Sequence, residues 1–505
     1  MNQPVPAELH REFAVRSRVT AFVDNAFLPP ASGIALPVVN PATELQVSEV
    51  EEADPASVDH AVRAARIAFA QGPWPRMEAA ERQAILRRLA ALIRQGAREL
   101  AYLECLNSGI PMRHLALGQI PRAAHNFEFF AEFIGQFAGQ LYTQDLRYLT
   151  LVTREPIGVA ALIGPWNAPL ALTSMKIAGC IAFGNCCVAK PAEQTPLAVA
   201  RLMELIAEAG VPAGVVNMVC GRGAVTGDAL VRHAEVDLVS FTGGTSTGRS
   251  VMAAAGAGLK PCSLELGGKS ANIIFASADF ERALDGALLG IFSNNGQQCL
   301  AGSRILVERS IARDFIDAFL ARTAKIRIGD PMDPATEIGP LAFRAHLQRV
   351  LSYVGVATAD GAQLLIGGDR AAGFERGFYM QPTAVLAPSS RSRICQEEVF
   401  GPFATFVTFD DVDQAIAIAN DSRFGLVSYV WSEHMPTVLR CSRAIRSGVV
   451  WVNTAMVREL RAPFGGLKDS GMGREGGNAS MQFYTAEKST TIPVVSVPMT
   501  RLGLG

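Results

Sequence analysis

Residues 158–190 read GVAALIGPWNAPLALTSMKIAGCIAFGNCCVAK, and this stretch decides the fold class. Two short apolar runs, 158–163 and 186–189, flank a longer helical pattern over 170–183. Apolar strands joined by a helix are typical of a parallel sheet that is covered on both faces. The stretch therefore predicts a βαβ unit, whose strand-to-helix turns lie at the sheet edge where such folds bind ligands.

The same alternation continues on both sides of this unit. The pattern predicts strands, helices and a final edge strand at further positions. The predicted helices are 55–69, 79–106, 120–137, 195–209, 279–292, 311–324 and 344–358, and the predicted strands are 215–219, 236–241, 272–275, 303–307 and 484–497. We therefore predict an α/β protein with a doubly wound parallel sheet in the first half and a second α/β domain after Ala271.

Length and charge exclude several classes of protein. The 505 residues are too many for one small module, so two or three domains are expected. Lys and Arg total 46 against 47 Asp and Glu, a net charge of −1, so no overall field attracts nucleic acid. The most apolar stretch, 177–188, is broken by glycine and asparagine and falls short of the roughly 20 residues that cross a bilayer. We expect neither a nucleic-acid partner nor a membrane span.

The cysteines and the start of the chain indicate a cellular compartment. Nine cysteines in 505 residues, with no CxxC spacing, do not form a disulfide framework. The first residues, MNQPVPAELHREF, lack the apolar core of a secretory signal. We therefore expect free thiols, a cytoplasmic location and no metal site.

A turn rich in glycine and hydroxyl groups follows one predicted strand. Residues 241–248 read FTGGTSTG, between the strand ending at Phe241 and a helix beginning near Thr247. Backbone N–H groups and a helix N-terminus at such a turn can hold a pyrophosphate. The stretch is not a GxGxxG fingerprint, so a plain tight turn is an equal alternative when it is taken alone.

Two other strand ends support a nucleotide site. Residues 163–167 read IGPWN after one strand, and 190–193 read KPAE after the next. Lys190 and Glu193 could hold the hydroxyls of a cofactor ribose, and the carboxylate would repel a 2′-phosphate. This pair favours NAD over NADP, although a surface ion pair is the alternative.

Two further motifs contain reactive side chains. Glu265 begins ELGGK at 265–269, and Cys299 ends GQQC at 296–299. A thiolate can attack a carbonyl carbon, and a glutamate can activate the water that releases the resulting thioester. Cys180, Cys186 and Cys187 lie in apolar runs and are expected to be buried, which leaves Cys299 as the candidate nucleophile.

These motifs, with EEVFGP at 397–402 and PFGG at 463–466, resemble in order those of the NAD(P)-dependent aldehyde dehydrogenase superfamily. The resemblance covers nearly the whole chain. It implies an NAD-binding domain over 1–140 and 156–264 and a catalytic domain over 265–470. It also implies a small β-arm over 141–155 and 480–505, which pairs subunits into a homodimer or homotetramer.

The resemblance also implies roles for individual residues. Cys299 attacks the aldehyde, the Asn167 amide and the Cys299 N–H hold the oxyanion, and Glu265 deprotonates the water. Lys190 belongs to the same catalytic set, and NAD is the cofactor. The implied cofactor-binding residues are Ile163, Gly164, Pro165, Trp166, Lys190, Glu193, Gly223, Gly227, Phe241, Thr242, Gly243, Gly244, Thr247, Leu266, Gly267, Glu398 and Phe400.

The substrate class is indicated by arginines near the expected channel. The loop 453–464, NTAMVRELRAPF, lines the substrate entrance in this family, and Arg122 lies on the helix expected to face it. Both segments resemble the semialdehyde dehydrogenases of aromatic ring cleavage, closest to the carboxymethyl-hydroxymuconate branch. We expect Arg461 and Arg122 to bind a substrate carboxylate, with Arg458 as an alternative and Phe464 on the channel wall. Interdomain or intersubunit salt bridges are the other interpretation of these arginines.

Three other functions were weighed. The runner-up is a broad dehydrogenase of neutral or aromatic aldehydes. Ala168 stands where many family members have an aromatic residue, which opens the pocket wall and argues against a narrow slot for small aliphatic aldehydes. A CoA-acylating enzyme is disfavoured because that branch lacks the water-activating glutamate. A non-catalytic binding homologue would be free to lose Cys299, Glu265 or Asn167, and all three are present.

Overall fold

A computed structural model of the chain describes residues 13–30 and 33–503. Residues 1–12 and 31–32 of the predicted NAD-binding domain and residues 504–505 of the predicted arm therefore lie outside the described residues. Two largely parallel sheets dominate the described part: the first is built from strands up to Glu265 with one added strand at Gly471–Met472, and the second from strands between Ala271 and Val452. Each sheet has its own apolar core, and the second sheet carries one core cluster on each face.

The first sheet has eight strands with a parallel centre and antiparallel edges. In spatial order they are Gly471–Met472, Cys262–Glu265, Leu238–Thr242, Val159–Ile163, Cys186–Lys190, Val216–Met218, Phe22–Val23 and Ala26–Phe27. Strand Val159–Ile163 is wholly buried, as its unbroken apolar sequence predicts. The chain reverses its direction of winding around this strand, so the sheet is doubly wound as predicted.

The second sheet has seven strands, parallel except at one edge. In spatial order they are Gln363–Ile366, Thr383–Leu386, Phe403–Phe409, Arg304–Glu308, Ala271–Ile274, Val427–Trp431 and Val449–Val452. The second α/β region after Ala271 is therefore confirmed as a second parallel sheet.

Helices connect the strands of both sheets. Up to strand Ala271–Ile274 they are Pro55–Gln71, Ala79–Gln95, Ala97–Ser108, Met112–His114, Ile120–Phe133, Pro169–Ala182, Leu197–Glu208, Asp228–Arg232 and Thr245–Ala257. Beyond it they are Phe280–Phe292, Ala312–Thr323, Arg344–Ala359, Arg393–Gln396, Val412–Asn420, Met435–Ala444 and Gly477–Tyr484. Single 3₁₀ turns cover Trp74–Arg76, Ser293–Gly296 and Arg309–Ile311, and π-helical turns cover Leu115–Gln119 and Gly223–Gly227. In the described ranges, no helix has both the length and the hydropathy that a bilayer span requires.

The predicted helix over 79–106 is two helices in the structure. The first ends at Gln95, Gly96 lies at the junction with φ −86° and ψ 14°, and the second begins at Ala97. Glycine has little preference for continued helical geometry, so the chain bends there although the apolar spacing continues. The predicted helix over 120–137 ends earlier, at Phe133.

Three small sheets complete the fold. The arm sheet pairs Tyr148–Pro156 antiparallel with Gln140–Tyr142 on one side and with Thr485–Pro493 on the other. The tail is thus an edge strand, as predicted. The other two sheets contain Arg18–Val19, Ala35–Val39 and Gln46–Glu51, and Phe424–Gly425 with Leu467–Lys468.

Candidate active site

The carboxyl ends of four parallel strands meet at one edge of the first sheet. Ile163 is in register with both Lys190 and Phe241, and Thr242 is in register with Glu265. The turns that follow these strands therefore start side by side, which is where doubly wound sheets bind ligands. Three predicted cofactor turns and the predicted catalytic glutamate share this edge.

A cavity of about 510 Å³ lies beside these strand ends. Five of the predicted cofactor residues line it, namely Ile163, Gly223, Gly227, Phe241 and Thr247. Helix Thr245–Ala257 begins at this cavity, and its N-cap Gly244 contributes no side-chain cap. The first N–H groups of a thirteen-residue helix are therefore available to an anion such as a phosphate.

Glycines allow a close approach of backbone and side chains at the turn after Glu265. The Gly268 N–H donates to Glu398 Oε1 at 2.9 Å, and a Cβ on Gly267 would lie 2.1 Å from Glu398 Oε2. Burial raises the pKa of Glu398 to about 7. The loop that contains Glu398 and Phe400 therefore faces the edge of the first sheet, and Leu266 and Gly267 lie between the two.

Lys190 and Glu193 lie together at the end of the neighbouring strand. Lys190 Nζ is 3.6 Å from Glu193 Oε2 and donates to the Pro191 carbonyl at 3.1 Å. Burial lowers the pKa of Lys190, and Glu193 opposes this shift. Glu193 is only partly buried, so its carboxylate can accept from ribose hydroxyls while Lys190 holds it in place.

Aromatic rings form a cluster around Trp166, in the turn after Ile163. The Trp166 ring packs edge to face on Phe400 at 5.2 Å, on Phe343 at 5.2 Å and on His346 at 4.9 Å between centroids. A 2.7 Å hydrogen bond joins His346 Nε2 to the Phe400 carbonyl, and Phe400 has a left-handed φ of 64°. The cluster fixes one wall of the cleft, and sequence reasoning missed His346 and Phe343.

Cys299 lies in the loop after the turn Ser293–Gly296 and is half-buried. Burial raises the pKa of its thiol to about 12, and the carboxyls of Glu398 and Glu265 contribute, while Arg122 opposes the shift. A thiol with this pKa is protonated at neutral pH, so the proton must leave as sulfur attacks. Cys262 is also half-buried, and the other seven cysteines are buried. Burial of Cys180, Cys186 and Cys187 is confirmed.

Asn167 lies directly before helix Pro169–Ala182, with Ala168 as the N-cap. Its Nδ2 donates to the Gln297 carbonyl, two residues before the nucleophile, at 2.9 Å. A side-chain amide has two N–H groups, so the second can meet an oxyanion. The structure therefore brings Asn167 to the cysteine loop, as the sequence predicts.

Glu265 is a buried carboxyl at the end of its strand. Among the described residues, neither of its oxygens has a hydrogen-bond partner. Burial and the nearby Glu475 raise its pKa well above the usual range, whereas Lys176 and Arg474 lower it. A buried, unpaired carboxylate with a raised pKa is suited to take a proton from water.

Lys176 and Glu475 are site residues that sequence reasoning missed. Lys176 Nζ, almost fully buried, donates to Glu475 Oε1 at 2.8 Å and to Ser240 Oγ at 2.9 Å. A signal was present, because Lys176 is the one charged residue within the apolar helix Pro169–Ala182. A buried cation needs a buried partner, which here is the carboxylate that acts on Glu265.

The predicted substrate arginines divide into two groups. Arg458 lies over the Phe464 ring at 4.7 Å and donates to the Ala462 and Glu475 carbonyls, each at 3.1 Å. Burial and Arg122 lower the pKa of Arg458 to about 10. Arg122 lies close enough to Cys299 for the two groups to interact electrostatically, and burial lowers the pKa of Arg122 as well. In the described part of the chain, the Nε atoms of Arg122 and Arg458 have no hydrogen-bond partner.

Arg461 does not join this group. Its side chain is 77% exposed and forms two hydrogen bonds of 2.9 Å to the carboxylate of Glu459. The position three residues after Arg458 turns toward solvent, and its charge is neutralised locally. The structure therefore does not bring Arg461 together with Arg122 and Arg458.

Comparison with known sequences gives matches over most of the chain. The family model described as Aldehyde dehydrogenase family matches residues 27–490. The chain is 45% identical over 446 residues to 5-carboxymethyl-2-hydroxymuconate semialdehyde dehydrogenase of Escherichia coli, covering 87% of this chain and 94% of that protein. It is 40% identical over 475 residues to retinal dehydrogenase 2 of Homo sapiens, covering 94% and 91%.

Solved structures have the same fold. The crystal structure of indole-3-acetaldehyde dehydrogenase in complex with NAD⁺ superposes with a TM-score of 0.94 at 38% identity. The superposition covers 97% of this chain and 99% of that one. The arrangement of the two sheets and the arm is therefore shared with that protein.

Proposed function

Because the chain belongs to the aldehyde dehydrogenase family, we propose that it oxidises, with NAD, an aldehyde that has a carboxylate at its far end. The substrate class we propose is a dicarboxylic semialdehyde from aromatic ring cleavage, such as a hydroxymuconic or 5-carboxymethyl-2-hydroxymuconic semialdehyde. The name of the E. coli relative supports this class. The product is the corresponding carboxylic acid.

One observation carries the substrate class: two buried guanidinium groups lie near each other, and one of them, Arg122, also lies near the nucleophile. Arg122 is close enough to Arg458 to lower the pKa of Arg458, and burial lowers the pKa of both groups, so an anion that joins them would offset the cost of burying two cations. Each has an Nε–H without a partner among the described residues. A carboxylate can accept from both groups and would offset their repulsion.

The residues at the sheet edge fit NAD. The cavity beside Phe241, the open helix N-terminus at Gly244 and the Lys190–Glu193 pair suit adenosine, pyrophosphate and ribose hydroxyls respectively. Glu398 and Phe400 would hold the nicotinamide half, facing Gly267. When bound, NAD supplies the acceptor for the hydride that leaves the substrate carbon.

The protein's own groups supply the other chemistry. Cys299 Sγ attacks the aldehyde carbon, while the free N–H of the Asn167 amide and the Cys299 backbone N–H hold the oxyanion. After hydride loss the acyl group is a thioester on Cys299. Glu265 then takes a proton from water, the hydroxide attacks the thioester carbon, and Cys299 leaves as a thiolate that takes this proton back from Glu265.

The test compares an acidic semialdehyde with its methyl ester, so that only the far charge differs. Arg458→Met and Arg122→Met should each lower kcat/KM for the acid by about 100-fold, because the lost buried ion pair contributes about 3 kcal/mol. Neither substitution should change kcat/KM for the methyl ester by more than about threefold. Arg461→Met is the matched control and should leave kcat/KM for both substrates unchanged.

The same kinetics tests the runner-up function. Equal kcat/KM for the acid and the ester in the wild-type protein would identify a broad dehydrogenase of neutral aldehydes. The 40% identity to a retinal dehydrogenase supports that second function. NADH formation with neither substrate would contradict both.

We also propose that the arm joins subunits of a homodimer or homotetramer. Strands Gln140–Tyr142 and Thr485–Pro493 are the two outer strands of the arm sheet, and exposed apolar side chains lie on both and just after the second. They are Leu141, Tyr142, Ile492, Val494 and Val495. Sedimentation at micromolar concentration should give a dimer or tetramer, and Ile492→Asp should shift it toward the monomer.

The domain boundaries and the location are proposed in the same way. An NAD-binding domain of 1–140 and 156–264 and a catalytic domain of 265–470 follow the division between the two sheets. Nine free thiols suit a reducing compartment, so we propose the cytoplasm. Cell fractionation would check the location, and two separate unfolding transitions in calorimetry would check the division into two domains.

A further inference from the structure

The loop that leads to Cys299 begins with two asparagines in an uncommon backbone conformation. Asn294 and Asn295 have φ of 54° and 56°, in the left-handed region that favours glycine. Asparagine tolerates this region better than most side chains because its short amide can hydrogen-bond locally. The two amides make the same number of hydrogen bonds but to different parts of the molecule.

The Asn294 amide donates to the backbone of two site segments. Its Nδ2 lies 2.9 Å from the Asn167 carbonyl and 3.0 Å from the Gln297 carbonyl. Gln297 O also accepts from the Asn167 side chain at 2.9 Å. Asn294 therefore links the residue that holds the oxyanion with the loop that contains the nucleophile.

Gln119 fixes the orientation of the Asn294 amide. Gln119 Nε2 donates to Asn294 Oδ1 at 2.9 Å, so the opposite end of the amide must point its N–H groups at the two carbonyls. Gln119 ends the turn Leu115–Gln119, directly before helix Ile120–Phe133. Arg122 follows three residues later on that helix, which we name the channel helix.

We propose that Asn294 is a positioning residue for the oxyanion hole and that Gln119 ties it to the channel helix. The link sets the distance between the oxyanion hole and the Arg122 guanidinium. It therefore selects aldehydes of one length between their two ends. The inference rests on the proposed aldehyde oxidation at Cys299, but its main test needs no acidic substrate.

Two variants test Asn294 with a neutral aldehyde. Asn294→Asp keeps the size and the left-handed backbone but places a carboxylate oxygen against two carbonyls, and Asn294→Gly keeps the backbone without an amide. We expect kcat to fall by about 100-fold in the first and at least about 10-fold in the second, as when an oxyanion donor is displaced. The KM for NAD should stay within about twofold, because the cofactor turns are untouched.

Asn295 is the matched control. Its amide donates to the Gly109 and Pro340 carbonyls and accepts from the Gly339 N–H, all remote from the oxyanion hole. Asn295→Asp should lower Tm and leave kcat of the folded protein within about twofold of the wild type. Equal losses of kcat in the Asn294 and Asn295 variants would mean general loop damage and would overturn the proposal.

Alkylation of Cys299 by iodoacetamide separates positioning from loss of the thiol. This neutral reagent needs no oxyanion hole, so its rate with both Asn294 variants should match the wild type. Full kcat in Asn294→Gly, or slowed alkylation in step with kcat, would refute the positioning role. If the wild-type protein alkylates at Cys299 but oxidises no aldehyde, the proposed function fails instead.

Gln119→Ala tests the tie to the channel helix. We expect a smaller loss of kcat, about fivefold, because Asn294 keeps its bonds but loses its fixed orientation. The preference for an acidic semialdehyde over its methyl ester should also narrow. Unchanged kcat together with unchanged preference would show that the channel helix is not coupled to the oxyanion hole.

Discussion

The cofactor edge and the substrate side of this active site are built by different means. At the cofactor edge, strand ends in adjacent register present backbone turns, helix N-terminal N–H groups and close-packed glycines. On the substrate side, isolated side chains converge from a helix, a loop and a later turn, as Arg122, Arg458 and Glu475 do. The first arrangement follows from local sequence, and the second exists only after folding.

The difference separates what each side contributes. Backbone groups at a sheet edge bind a ligand whose shape is common to many enzymes, because these groups are present whichever side chains follow the strand. Buried charges are costly unless they are paired, so the pKa of each charged group on the substrate side depends on its neighbours. Single substitutions should therefore change cofactor affinity on one side and substrate choice or pH dependence on the other.

The largest expected effect comes from removing the nucleophile, which should abolish catalysis but leave NAD binding intact. Cys299→Ala should lower NADH formation at least about 10⁴-fold, because no other group can form the thioester. NAD binding measured by calorimetry should remain within about threefold of the wild type, since the cofactor turns are intact. Cys262, the other half-buried thiol, is the control, and Cys262→Ala should keep full activity. Residual NADH formation in Cys299→Ala would contradict the thiol mechanism.

The next effect tests the cofactor edge. Glu193→Ser should raise kcat/KM with NADP relative to NAD by about 10-fold to 100-fold, because the carboxylate no longer repels a 2′-phosphate. Steady-state kinetics with both cofactors at one aldehyde concentration measures the ratio. Glu208→Ser removes an exposed carboxylate at the end of helix Leu197–Glu208 and should leave the ratio unchanged. An unchanged ratio in Glu193→Ser would place the ribose elsewhere.

The sequence predicts the cofactor edge better than the substrate side, and the reason is physical. Strand ends, glycines and the residues that follow them are contiguous, so FTGGTSTG and KPAE are recognisable before folding. Arg458 and Arg461 are three residues apart in one loop, and only the fold turns one inward and pairs the other with Glu459. Spacing in a loop carries no direction, whereas spacing in a strand or helix does.

Residues that act through others were harder still to predict. Asn294 and Glu104 have no motif of their own, and each has a partner more than 60 residues away in sequence. The pattern contained a signal for Lys176 that sequence reasoning missed, because one lysine in an apolar helix must find a buried partner. What it did not reveal was that this partner, Glu475, acts on the catalytic carboxyl.

A pH profile tests the substrate side through Glu475. Its negative charge disfavours a second charge on Glu265 and so raises the pKa of Glu265. The base must be ionised to take a proton from water, so kcat should rise with pH. Glu475→Gln removes the charge, lowers the pKa of Glu265 and should move the acid limb of kcat to lower pH by about one unit.

A matched control keeps this shift specific. Glu487 is an exposed carboxylate on the arm strand, paired with Arg154, and Glu487→Gln should leave the profile in place. A shift of the Glu475→Gln limb toward higher pH would show that the Glu475 charge does not raise the pKa of Glu265, because unpairing the Lys176 cation would itself lower that pKa. The electrostatic account of the base would then be wrong.

The smallest expected effect concerns a support that both sides share. Helix Pro169–Ala182 begins just after Asn167, and its N-cap Ala168 has no capping side chain. The Leu170 N–H instead donates to Glu104 Oε2 at 3.1 Å, from helix Ala97–Ser108. Burial raises the pKa of Glu104 to about 8, so this carboxyl is protonated in the native protein at neutral pH.

The raised pKa makes the contribution of Glu104 depend on pH. Below the unfolded pKa, near 4.5, both states hold the proton, and above it only the native state does, so stability falls as pH rises toward 8. Glu104→Gln keeps an acceptor for Leu170 but cannot ionise. It should raise Tm by about 2–4 °C at pH 8 and by less than about 1 °C at pH 5, measured at one scan rate. Glu99→Gln, which removes a half-exposed partner of Arg201, should change Tm about equally at both pH values. A gain in Glu104→Gln that is larger at pH 5 than at pH 8 would show that the buried carboxyl is ionised in the native state, with its charge stabilised by the start of the helix that follows Asn167.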